Sequence, residues 1–142
     1  MGGYRFLDDV AIADVAFEAW GDTLADLFAA CGQATFAVMV DLEHVEPRQA
    51  VQIELANETL EGLLFEWLAE LVFRKDAHSM FFARFQVTVD QVDGRFVLTA
   101  TAAGEPIRAD LPMRLDVKAP TAHMLEVTRS NEGWRTRVIL DV

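Results

Sequence analysis

Residues Ala13-Asp14-Val15-Ala16-Phe17-Glu18-Ala19-Trp20-Gly21 decide the reading of this chain. Ala13, Val15, Phe17 and Ala19 fall on one side of a period-two alternation, and Asp14, Ala16, Glu18 and Trp20 on the other. Such alternation describes a strand. Gly21 stops it, and Asp22-Thr23 opens an apolar-periodic stretch with a cap, so the segment predicts strand, turn, helix. Asp14 then sits near the start of a strand, where a lone carboxylate needs a partner. A metal ion is one candidate. The chain closes on Val138-Ile139-Leu140-Asp141-Val142, another strand-like run with an Asp near its end. The functional reading depends on whether folding joins these two ends.

Working outward, Tyr4 to Leu7 reads as a short strand, with Asp8-Asp9 as a turn or bulge. One bent strand and a hairpin both satisfy that pattern. Between Asp22 and Val40, the residues Leu24, Leu27, Phe28, Cys31, Thr35 and Val38 recur at spacings of three and four, one face of a helix. Gln49 to Leu55 alternates as a strand, and Asn57 is a candidate cap. Leu60, Leu63, Leu64, Trp67, Leu68 and Leu71 mark a second helix, whose end carries Arg74 and Lys75 against the negative helix terminus. Trp67 reads as core.

The remainder is strand-rich. Phe82 to Val89 and Arg95 to Ala103 flank Asp93-Gly94, a hairpin turn signal. Gly104-Glu105-Pro106 reads as a turn, Met113 to Ala119 and His123 to Thr128 as strands, and Trp134 to Asp141 as the last strand, after a turn at Asn131-Glu132-Gly133. Helices early and strands late predict an α+β fold, two helices packed on a mostly antiparallel sheet, with 1–142 as one compact domain.

Composition bounds the function. Hydrophobic residues make up 52% of the 142 and charged residues 25%, which argues against global disorder. No apolar run reaches the roughly 20 residues that span a bilayer. No secretory segment precedes Asp8 and Asp9, so the cytoplasm is the default compartment and no membrane is expected. The single Cys31 cannot form an internal disulfide and reads as packing. A net charge of −11 opposes tight direct nucleic-acid binding, which draws on Lys and Arg, but suits a basic protein partner or a cation. His44, His78 and His123 share no ligand spacing. If the last strand pairs beside the first, Asp14, Asp141 and the terminal carboxylate of Val142 would offer oxygen donors suited to Ca²⁺ or Mg²⁺. Lys118 stands between Val117 and Ala119 and points to the opposite side of any strand there.

Read together, these stretches resemble the archease family along nearly the whole chain. The likeness lies in Ala13-Asp14-Val15, Ala19-Trp20-Gly21-Asp22-Thr23-Leu24, Val38-Met39-Val40-Asp41 and Leu63-Leu64-Phe65-Glu66-Trp67-Leu68-Ala69-Glu70-Leu71. It continues in Gly104-Glu105-Pro106, Val117-Lys118-Ala119 and the closing Val138 to Val142. The resemblance implies a non-enzymatic partner of the RtcB-type RNA-splicing ligase. Such a partner promotes guanylylation of the ligase's own histidine and its turnover in tRNA splicing or RNA repair. It also implies a divalent metal held by Asp14, Asp141 and Val142, and a partner-activating role for Lys118. The chain departs from the family pattern at Ala11-Ile12, where His-Thr is usual, at Ala122, usually tyrosine, and at Ala69, usually acidic. Two other readings remain at this stage: a metal-dependent hydrolase or transferase using Asp14, Asp141, Glu105 and His123, and a scaffold module without chemistry.

Overall fold

A computed structural model of the chain describes residues 1–7 and 14–142. The Asp8-Asp9 turn and the Ala11-Ile12 departure lie outside the described residues. Strand β1 (Gly3–Leu7) and strand β2 (Asp14–Gly21) pair antiparallel, so the opening is a hairpin and not one bent strand. Helix α1 (Leu24–Met39) follows, capped by Thr23, whose side chain accepts from the Asp26 amide. Strand β3 (Gln49–Asn57) leads to helix α2 (Leu60–His78), and β4 (Met80–Val92) turns into β5 (Arg95–Pro106). A two-residue strand β6 (Ala119–Pro120) precedes the terminal hairpin of β7 (Glu126–Ser130) and β8 (Gly133–Asp141).

These strands form two antiparallel sheets rather than one. The first runs β1-β2-β8-β6 with β7 also paired to β8; the second runs β3-β5-β4. The helices lie between them: α1 contacts β4 on one side and β1, β2 and β8 on the other, and α2 reaches β3, β4 and β5 as well as β6 and β7. This corrects the single apolar face expected of α1. Besides Leu27, Phe28, Cys31, Thr35 and Val38, it also buries Ala30, Ala34, Phe36, Ala37 and Met39. A helix with a sheet on either side has no wet face to keep polar. Cys31 is fully buried, and burial pushes its thiol pKa up, so it packs and does not react.

The centre of the helix layer is aromatic. Phe36 meets Phe82 edge-on with centroids 5.5 Å apart, and Trp67 meets Phe85 edge-on at 5.9 Å. Trp67 is fully buried and its Nε1 donates to the Phe28 carbonyl at 2.9 Å, tying α2 to α1. The second helix is capped by Thr59, not Asn57. Thr59 Oγ1 accepts from the Gly62 amide, while Asn57 accepts from the Thr59 amide and donates to Glu66.

Two expected elements differ. Gly104, Glu105 and Pro106 continue β5 opposite Phe82, Phe81 and Met80 instead of turning. A Cβ on Gly104 would lie 1.8 Å from the Phe81 carbonyl oxygen, so the glycine serves close backbone approach. Met113 to Val117 alternates, yet only Ala119–Pro120 becomes strand. Among the described residues no strand lies alongside it beyond an isolated bridge from Met113 to Val40, and Met113 and Leu115 remain exposed. The segment instead closes the end of α1. The Arg114 amide donates to the Met39 carbonyl at 2.7 Å, and its guanidinium donates to the Ala37 carbonyl at 3.0 Å. The last turn of α1 has no cation of its own, and Arg114 supplies one to its free carbonyls.

Replacing Trp67 with Phe removes the buried bond to Phe28 and leaves a void. Urea unfolding is expected to show a loss of about 2–4 kcal/mol. A loss under about 0.5 kcal/mol would contradict this role for the indole.

Candidate functional site

The site is built by register. Strand β2 pairs with β8 from Asp14 opposite Asp141 to Gly21 opposite Trp134. Burial fixes that alignment: Phe17 and Ala19 on β2, with Val138 and Leu140 on β8, face the helices and are almost wholly buried. A slip of one residue would turn them all to water. The same register sets the two half-buried aspartates directly across from each other. Opposite residues on neighbouring strands hold their Cβ atoms about 4.5–5.5 Å apart, and like charges there repel. Among the described residues neither carboxylate has an ion-pair partner.

The third strand brings Lys118. On the side of Asp141 away from Asp14, Ala119 is its register partner, and the Lys118 amide donates to the Asp141 carbonyl at 2.8 Å. Val117 is fully buried and the Lys118 side chain is exposed, as the alternation predicts. Val142, half-buried, packs against the core, which anchors the end of the chain beside Asp141. Thus Asp14, Asp141, Val142 and Lys118 are neighbours by register or sequence. Among the described residues no three Asp, Glu, His or Cys side chains gather into a metal cluster. Asp14 and Asp141 present two side-chain carboxylates across the ladder, and Val142 follows Asp141 in sequence. Carboxylate oxygens are hard anionic donors, of the class that suits Ca²⁺ or Mg²⁺.

Of the four residues in the hydrolase or transferase reading, Glu105 stands apart from the aspartates. Glu105 lies on the other sheet, 2% exposed, with both oxygens engaged. Arg108 donates to Oε1 at 2.8 Å and to Oε2 at 3.2 Å, and the Glu46 amide donates to Oε2 at 2.6 Å. Glu105 fastens the 44–48 loop to β5. His123 is exposed and lines an open groove of about 600 Å³ on the outer side of the first sheet, with Glu18, Glu126, Arg135, Arg137 and Ile139. Glu18 there pairs with Arg135 at 2.5 Å and Arg5 at 3.3 Å.

With this geometry in view, the comparisons decide the lineage. The sequence pattern of the Archease protein family matches residues 4–142. The chain belongs to the archease family. It is 37% identical to the Protein archease of Methanothermobacter thermautotrophicus over 142 residues, covering all of both chains. The solution structure of Methanobacterium thermoautotrophicum protein 1598 superposes with a TM-score of 0.88 at 37% identity, covering 99% of each chain. A crystal structure from Thermotoga maritima, described as an archease, possible chaperone, shares the fold at TM-score 0.63 and 14% identity, covering 97% of this chain and 98% of that one. The two-sheet architecture is thus that of archease. Among the described residues no helix is long and apolar enough to cross a membrane.

Sequence reasoning missed Lys75. The sequence reading assigns it, with Arg74, to the negative helix terminus; Arg74 instead pairs with Glu70 one turn back at 2.7 Å, and His78 is the other base in the last turn. Lys75 turns inward, 3% exposed, and its Nζ donates to Asp116 Oδ1 at 2.5 Å and to the Val117 carbonyl at 3.1 Å. It therefore grips the two residues before Lys118. The signal was present: Trp67, Leu71 and Lys75 recur every four residues along the buried side of α2.

The Glu105 knot predicts a pH response. Bonds from Arg108, then from the Glu46 amide, hold its carboxyl down from the ordinary 4.5 to about 2. A depressed folded pKa stabilises above 4.5, and that stabilisation is lost as pH falls toward about 2, where the folded state must also be protonated. Glu105→Gln should lower thermal stability at neutral pH, with the gap from wild type narrowing through that window. A gap independent of pH would contradict the assignment.

Proposed function

We propose that this chain is a metal-binding protein cofactor that activates an RtcB-type RNA ligase, promoting its guanylylation and turnover in tRNA splicing or RNA repair. The observation that carries the reading is the register that faces Asp14 with Asp141 one strand away from Lys118, in a chain of the archease family. The description of the Thermotoga maritima relative as a possible chaperone supports the coarser part, a protein that acts on another protein.

In this reading Asp14, Asp141 and the carboxylate of Val142 hold a divalent cation, Ca²⁺ or Mg²⁺, at one end of the first sheet. A cation there would supply charge compensation for phosphate at the partner's nucleotide site. The chain's own residues bind and orient. The two aspartates sit on a rigid ladder, so little ordering is needed on binding. Lys118 is held by its amide on Asp141 and by the Lys75 grip behind it, leaving its exposed ammonium to meet the ligase or its phosphates. The net charge of −11 suits docking against a basic surface, and no direct RNA contact is required. Catalysis stays with the ligase.

The test is a guanylylation assay with the purified ligase, with and without this protein. Asp14→Ala, Asp141→Asn and Lys118→Met are each expected to reduce the stimulation by roughly tenfold or more, as for loss of a charge-assisted contact, with circular dichroism unchanged. Undiminished stimulation by Asp14→Ala would overturn the metal's part. Stimulation by none of the proteins, wild type included, would overturn the ligase as partner and favour a scaffold role.

A further inference from the structure

The strand edges of this fold differ in chemistry, and β4 is the exceptional one. Among the described residues β4 pairs only with β5, which leaves its other side open. Hairpin geometry tells which backbone groups face that side. Asp93 and Gly94 both have positive φ, 51° and 78°, a two-residue turn closed by Val92 and Arg95. The pair flanking such a turn exchanges both hydrogen bonds, and alternate pairs repeat this along the ladder. Val92, Asp90, Thr88, Gln86 and Arg84 therefore direct their amides and carbonyls to β5. Gln91, Val89, Val87 and Phe85 direct theirs to the open edge. Phe85, Val87 and Val89 have side chains packed against the core, so these outward backbone groups are already rigid.

The usual defences of an edge strand are sparse here. The stretch from Arg84 to Val92 has no proline, lysine or glycine, and the bulge between Phe82 and Arg84 lies outside it. Its charged residues, Arg84 and Asp90, stand on the water-facing side, three residues either side of Val87. That symmetry matters only to a second copy of the same strand. Outward backbone groups must face one another, which permits two-fold axes through Gln86, Val87 or Thr88. An axis through Gln86 sets Arg84 against Thr88, and one through Thr88 sets Arg84 against Val92. Only Val87 sets Arg84 against Asp90, and the symmetry makes the pair twice. Both pairs then fall at non-hydrogen-bonded positions, where opposing side chains approach closest. Edge strand β3 carries Glu54 and no cation, β1 carries Arg5 and no anion, and β7 carries Glu126 and Arg129 three residues apart, hence on opposite sides of the strand, so none complements itself this way.

We propose that β4 pairs antiparallel with β4 of a second copy about an axis through Val87, joining two three-stranded sheets into one of six. The occupant of this edge is another molecule of this chain, and the proposal stands apart from the metal and ligase reading.

Sedimentation equilibrium of the full chain over a wide concentration range tests it. Wild type is expected to form a dimer. Arg84→Asp and Asp90→Arg should each raise the dissociation constant roughly tenfold, since each sets like charges opposite one another twice. The double variant should return it close to wild type. These side chains face water, so the fold should survive each change. Independently, amide exchange at Phe85, Val87 and Val89 should slow as wild-type concentration rises, with Gln86 and Thr88 protected throughout. A monomer at every concentration, single variants that dimerise like wild type, or a double variant that fails to recover would each overturn the proposal.

Discussion

The antiparallel pairing of β2 with β8 is the constraint on which the rest depends. It makes neighbours of the two ends of the chain, and its register is set by the need to bury Phe17, Ala19, Val138 and Leu140 against the helices. Because side chains alternate, the same choice fixes what lies on the opposite side. Packing on the inner side thereby determines chemistry on the outer one. Asp14 opposite Asp141 is an unfavourable pair of like charges that the hydrophobic alignment enforces. A fold that tolerates such a pair gains by neutralising it, which is the physical argument for a cation there.

Irregular segments around this ladder are tied down by cations reaching from elsewhere. Arg114 closes the end of α1, Arg108 and Glu105 hold the 44–48 loop, and Lys75 grips Asp116 and Val117. With 12 basic residues against 23 acidic ones, three cations are engaged in these ties, of which Lys75 is buried, and the chain as a whole is left strongly acidic. The buried lysine matters most for the site, since it holds the residues that lead into Lys118 and the β6–β8 pairing.

Much of this was legible in the sequence where local pattern and tertiary need agree. The alternation from Asp14, the helical spacing of Trp67 and its neighbours, and Asp93-Gly94 each describe what formed. The juxtaposition of the ends was a conditional inference from two acidic strands, and the register of β2 on β8 meets the condition. What failed depended on neighbours that no window contains. Gly104 looked like a turn residue because composition cannot reveal the carbonyl of Phe81 pressing on it. Met113 to Val117 alternates like a strand, yet among the described residues it has no strand to pair with. A second sheet behind α1 turned an expected wet face into core. Lys75 was read by its charge when its spacing placed it on the buried side.

The most direct test of the central claim is a nuclear magnetic resonance titration of the full chain with Ca²⁺ and, separately, Mg²⁺. One saturable site should appear, with the amides of Asp14, Lys118, Asp141 and Val142 shifting together, and Asp14→Asn or Asp141→Asn should abolish it. Absence of saturable binding by either ion, or shifts confined to residues away from the β2–β8 ladder, would contradict the account.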